Sequence, residues 1–210
     1  MAGHEAPAPS IFSAFPAEND EHLIMRWGKH FRSIPYEFSA AARRLASTLT
    51  GDPTDDALLH PLLYLYRHAI EMAMKQSILD AAELRRFRGE SDPDLDEAAL
   101  TKRLNTKIRH NLTLLLDEYD AQLAAARLQA LPEGTRRGIQ LIVNADPVGN
   151  SFRFPVEFFG SEHINFVALS NFLDETFHTV DATVDVIAAA RDIEQDYQET
   201  LRDAVDYPGW

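Results

Sequence analysis

The sequence predicts an all-α protein, a helical bundle of about five helices with a long C-terminal helix and a small irregular or hairpin insertion. Three observations predict it. Apolar residues recur at helical spacing through most of the chain between 36 and 204. The helix-like stretches are separated by short runs of turn residues, Thr50-Gly51-Asp52-Pro53, Gly89-Glu90-Ser91-Asp92-Pro93 and Asp146-Pro147-Val148-Gly149-Asn150. Near the C-terminus Phe166, Leu173, Val180 and Ile187 repeat every seven residues, with Phe177 and Val184 in the adjoining row, the pattern of a long bundle seam.

Each element can be justified from its own residues. Positions 1–35 are rich in Ala and Pro at the start and are expected to form an N-terminal arm, with Ile11, Phe12 and Phe15 pinning it to the core or docking a partner. A single helical domain is expected over 36–210. Pro35 precedes a helix over Tyr36 to Leu49. The strongest helix runs from Thr54 or His60 to Arg88. Thr54 is its candidate N-cap, Pro61 is expected to break it early, and Leu62, Leu65, Tyr66, Ala69, Met72, Ala73 and Gln76 share one stripe. A short helix is expected over Leu95 to Leu104, and a longer one over Asn111 to Leu131, stopped by Pro132 and Gly134. Arg136 to Ala145 reads as a further short helix. Ser151 to Phe159 is aromatic and interrupted by Pro155, so it is expected to be extended or a short hairpin. The last helix is expected from Ser161 to Ala204.

Composition narrows the function classes. The chain has no cysteine, which excludes disulfides, thiolate nucleophiles and Cys-based metal sites. No apolar run is long enough to span a bilayer, so no membrane partner is expected. The first residues lack the basic and apolar regions of a secretory signal, and a cytoplasmic location is the expectation. A net charge of −13 argues against nucleic-acid binding by the surface as a whole. Charge is unevenly spread, however. Lys102 to Arg109 holds Lys102, Arg103, Lys107 and Arg109 with no acid, and Arg26 to Arg44 is opposed only by Glu37. A local anion-binding face therefore stays open.

Four constellations carry candidate chemistry. Arg67, Glu71 and Lys75 lie at i, i+4 and i+8 on one helix face, beside His68. On an exposed face they are ordinary ion pairs. On a buried face they would organise a pocket, with His68 as a general acid or base. Arg103 and His110, with six residues between them in the basic stretch, could hold a phosphate and move a ribose proton without metal, although His110-Asn111 equally suits a helix N-cap. On the last helix Asp174, Asp181, Asp185, Asp192, Asp196, Glu199 and Asp203 form an acidic stripe, and Glu175 and His178 make a single Glu-x-x-His. A solvated face, a surface for a basic partner, or half of a bundle metal site fit that pattern. Arg153, between Phe152 and Phe154, could reach into a pocket or merely accompany core anchors.

Some of these segments carry a family likeness. Pro61 to Lys75 (PLLYLYRHAIEMAMK) resembles the early helix of bacterial HEPN-like proteins, and His110-Asn111-Leu112 resembles the opening of their next long helix. Asp146 to Pro155 resembles the loop before their final helix. The resemblance implies a helical bundle, frequent dimers, a place in bacterial stress or phage defence and, in active members, metal-independent RNA cleavage by an Arg and a His. Arg103 and His110 match that motif's spacing, with Leu104 where a polar residue is usual and with the motif mid-chain rather than opening a late helix.

Three functions are the resulting expectations. The first is an RNA-cleaving or RNA-binding protein with Arg103, His110 and His68 catalytic and Arg67, Glu71, Lys75 and Arg153 organising the pocket. The second is a non-catalytic interaction module, homodimeric through the long C-terminal helix, with the acidic stripe meeting a protein partner. The third is a metal-binding bundle at Glu175 and His178. The first two call for no cofactor and no metal.

Overall fold

A computed structural model describes residues 33–153 and 163–206, with side chains as far as 203. All of these lie within the unit Phe31–Trp210. Nearly all of the expected arm, and the expected extended segment from Phe154 to Phe159, lie outside the described residues. Among the described residues there are six α-helices and no strand: α1 Ile34–Ala46, α2 Asp56–Phe87, α3 Glu97–Arg103, α4 Leu112–Ala125, α5 Glu133–Ala145 and α6 Phe166–Asp206. The chain is an all-α bundle with a long C-terminal helix. No helix is long and apolar enough to cross a membrane among the described residues.

α1 starts at Ile34, with Pro35 in its first turn, where a missing N–H goes unnoticed. Asp52, rather than Thr54, provides the next cap: its carboxylate accepts from Thr54 N, and a 3₁₀ turn over Pro53–Asp55 leads into α2. α2 then runs unbroken for 32 residues through Pro61, against the expected break. Pro61 forfeits one bond, to the carbonyl of Ala57 in the exposed first turn. The burial of Leu62, Tyr66, Ala69, Ile70, Ala73, Met74 and Ile78 beyond it holds the helix together.

Two helix ends use the same device. After α2, Gly89 takes φ +92, and Gly89 N and Glu90 N donate to Arg86 O and Arg85 O. After α4, Arg127 takes φ +56, and Arg127 N and Leu128 N donate to Ala124 O and Leu123 O. Both are Schellman endings. The second stops α4 at Ala125 rather than at the expected Leu131, and Leu131 folds back into the core.

α2 is the central helix, packed by α1, α4 and α6. From α6 it receives Leu173, Phe177, Val180 and Ile187, all buried, so the heptad seam closes on the chain's own core. Each such side chain is worth about 1.5–3 kcal/mol of burial. Tyr119 Oη donates to Thr183 Oγ1 at 2.7 Å, tying α4 to α6. α5 crosses α6 closely, because Gly138 faces Thr176. α6 begins at Phe166, later than the expected Ser161, with Asn165 Oδ1 accepting from Ala168 N.

Candidate functional site

The site grows from one buried arginine on α2. Arg67 is 2% exposed and its guanidinium reaches three parts of the chain. Nη1 donates to Glu71 Oε2 at 2.8 Å, one turn on along the same helix. Nη2 donates to the backbone oxygen of His110 at 2.6 Å, and Nε to that of Asp146 at 3.2 Å. The Asp146 carboxylate lies 3.1 Å from Nε, and its other oxygen accepts from Asn150 N and Ser151 N, folding the loop after α5 into a tight turn. Gly149, at φ +77, completes that turn beside the guanidinium. A Cβ there would sit 3.0–3.1 Å from three guanidinium atoms, so the buried Arg67 would have to give, and the positive φ strains any other residue as well.

Glu71, with no exposed side-chain surface, is the second hub. Its Oε1 accepts from Lys75 Nζ at 2.7 Å and faces His110 Nδ1 at 2.9 Å. Burial pushes the Glu71 carboxyl up, but Lys75, Arg67 and His110 outweigh it, and the net shift is downward. Glu71 is therefore ionised at neutral pH and acts only as an acceptor. Nδ1 of a neutral His110 must then carry the proton, which leaves Nε2 as the basic nitrogen. Formal charge in the buried cluster balances: Arg67 and Lys75 against Glu71 and Asp146.

His110 owes its position to an unusual local path. α3 ends in a π turn, Leu104–Ile108, closed by Arg109 N donating to Leu104 O. Arg109 takes φ 55 and ψ −113, and Asn111 N donates back to Ile108 O. That is a type II′ turn with arginine at the corner where glycine is usual. Such strain concentrates at functional sites. Asn111 then caps α4 by accepting from Leu114 N, as one sequence reading anticipated.

The two loops form the walls of a cavity of about 550 Å³, lined by Lys107, Arg109, His110, Asn111, Asn150 and Arg153 among others. Leu112 N donating to Pro147 O at 3.1 Å joins the walls, and Arg67 clamps them from below. Among the described residues no acid lines this cavity, in a chain of net charge −13. No family model, curated protein or solved structure matches the chain.

The sequence-derived candidates fall into three groups. Arg67, Glu71, Lys75 and His110 come together as one bonded network. Arg153 joins the cavity wall, with its guanidinium 5.8 Å from the Tyr64 ring centre and Nη2 donating to Asn150 Oδ1 at 3.3 Å. His68 lies between Phe38, at 4.4 Å, and Tyr64, at 5.8 Å, outside the cavity lining. Burial first, then Lys75, His110 and Arg67, lower its pKa against the pull of Glu71, so it is neutral. Arg103 is held elsewhere, by Glu118 and, at 3.9 Å, by Asp94, and does not line the cavity. His178 has Asp174 at 3.5 Å on its own helix. Among the described residues no group of three or more His, Cys, Asp or Glu is placed to hold a metal.

Asp146 and Gly149 were legible as turn residues in a loop with a family likeness, and nothing in their local sequence announced that they hold Arg67. The signal available was the Asp-Pro-x-Gly turn itself. Its partner lies 79 positions away.

Proposed function

We propose that the cavity binds the phosphodiester backbone of single-stranded RNA and that His110 cleaves it without metal. The observation that carries this reading is a histidine backed by a buried, ionised glutamate, in a cavity whose described lining holds cations and no acid. His110 Nε2 takes the proton of a ribose 2′-hydroxyl, and the 2′-oxygen forms a bond to phosphorus. The P–O5′ bond breaks, and the leaving 5′-oxygen takes a proton from water. The products are a 2′,3′-cyclic phosphate and a 5′-hydroxyl. Glu71 fixes the imidazole tautomer and stabilises the imidazolium that forms. Lys107, Arg109 and Arg153 hold the phosphate charge. The likeness to HEPN-like ribonucleases favours the same chemistry, with Arg153, which lines the cavity, in place of Arg103, which does not.

The test is cleavage of a fluorescent single-stranded RNA in EDTA. His110→Ala is expected to lose about 10²–10⁴-fold of the rate, the usual worth of a general base. Arg153→Ala should raise KM and lower kcat together, and Arg103→Ala should leave both near wild type. Loss in both His110→Ala and Arg103→Ala, with Arg153→Ala near wild type, would restore the spacing-based pair. Intact RNA under enzyme excess would discard cleavage and leave binding to be judged by anisotropy.

A further inference from the structure

The distal half of α6 carries an apolar strip that the described chain does not bury. Val186 is 52% exposed, Ile193 70%, Tyr197 59% and Leu201 48%. At about 100° per residue these four fall on one face. Ile187, Glu194 and Gln198 fall on another, which faces α2: Glu194 pairs with Arg88, and Gln198 Nε2 donates to Phe87 O at the very end of α2. A third face holds Asp185, Asp192, Asp196, Glu199 and Asp203. The two bases of this half-helix, Arg191 and Arg202, fall toward the packed side, and Arg191 is paired with Glu83. The acidic face lies about 125° from the apolar strip and about 150° from the packed face, and those two are about 85° apart. An apolar strip thus runs beside an acidic stripe, and among the described residues of this half-helix neither face carries a cation.

We infer that this half of α6 is a docking surface for a basic amphipathic helix of a partner protein. Helix-in-groove recognition needs apolar anchors at helical spacing, and Val186, Ile193, Tyr197 and Leu201 supply them. The flanking carboxylates choose the charge of the occupant. A second copy of this chain laid antiparallel would set acid on acid, in a molecule of net charge −13. An anionic membrane surface is disfavoured by the same stripe. A helix with apolar residues on one face and Lys or Arg along one edge satisfies both faces at once.

The experiment uses the full chain and two labelled synthetic peptides of identical Leu, Ala and Lys composition. One has its leucines on one helical face, the other has them scattered. The segregated peptide is expected to bind at least tenfold more tightly by anisotropy. Ile193→Ser with Tyr197→Ser should weaken it at least tenfold. Asp192→Asn with Asp196→Asn should weaken it and flatten its salt dependence, while Asp92→Asn with Asp94→Asn, in the turn that precedes α3, should not. All six positions are exposed, and circular dichroism checks the fold of each variant. Equal binding of the two peptides would reduce the effect to general acidity and overturn the proposal. So would undetectable binding of the segregated peptide, or a wild-type dimer in light scattering that Ile193→Ser with Tyr197→Ser dissociates.

Discussion

Arg67 shows how much one side chain decides here. It is paired with Glu71, bonded to two backbone oxygens from separate loops, and capped by Gly149. Removing one member leaves the others as buried, uncompensated charges. Glu71→Ala is expected to lower unfolding free energy by about 3–5 kcal/mol, read from urea denaturation. Gly149→Ala meets both the guanidinium and a positive φ and should lose about 1–3 kcal/mol. Acid acts in two windows. His68 has a lowered pKa, so below its ordinary value of 6.5 the unfolded chain binds a proton the folded chain resists, and stability falls as pH drops through that range. Glu71 also has a lowered pKa, and its contribution is full above 4.5 and lost as pH falls through the lower folded value. Urea titrations of His68→Gln should therefore be flatter between neutral pH and the Glu71 window, with the lower limb unchanged.

Two contacts at the level of elements make sharper tests than the helices themselves. The II′ turn at Arg109 carries backbone strain so that His110 can face Glu71. Arg109→Gly should stabilise the fold by about 1 kcal/mol while weakening anion binding, since the turn keeps its shape and loses a cation. Gly138 lets α5 lie against α6, and a Cβ there would press into Thr176 Oγ1. Gly138→Ala should destabilise by about 1–3 kcal/mol through overpacking. Adding Thr176→Ala should recover part of that loss in a double-mutant cycle, because the clashing hydroxyl is gone.

Across the described molecule, charge is separated in space. The cavity between the α3–α4 and α5–α6 loops collects Lys107, Arg109 and Arg153, whereas the far half of α6 collects carboxylates. Single-stranded RNA held by three cations should show a slope of about −2 in log K against log salt. A steeper slope would require cations outside the cavity. A flat one would mean that phosphate is not what the cavity holds. Binding titrations at several salt concentrations distinguish these cases.

The all-α class, the long last helix and most turns were legible in the sequence because they depend on local rules. Helical periodicity, Gly89 at a helix end and Asn111 at a helix start act within a few residues of themselves. The Arg67–Glu71–Lys75 row was legible for the same reason, since a helix fixes its spacing. Whether that row was a solvated ion-pair ladder or a buried organiser was not, because burial depends on what α1, α4 and α6 lay over α2. Pro61 misled because propensity is local, whereas the burial beyond it is not. Sequence spacing paired Arg103 with His110. Tertiary structure instead gave Arg103 to Glu118, brought Glu71 behind His110 from 39 positions away, and set Arg153 on the wall beside it. By itself the sequence determined which segments are helical and which side chains are capable of chemistry. Only the packing of helices decided which of those side chains meet, since long-range contacts are selected by the closing of a common core and leave no mark at the positions they join.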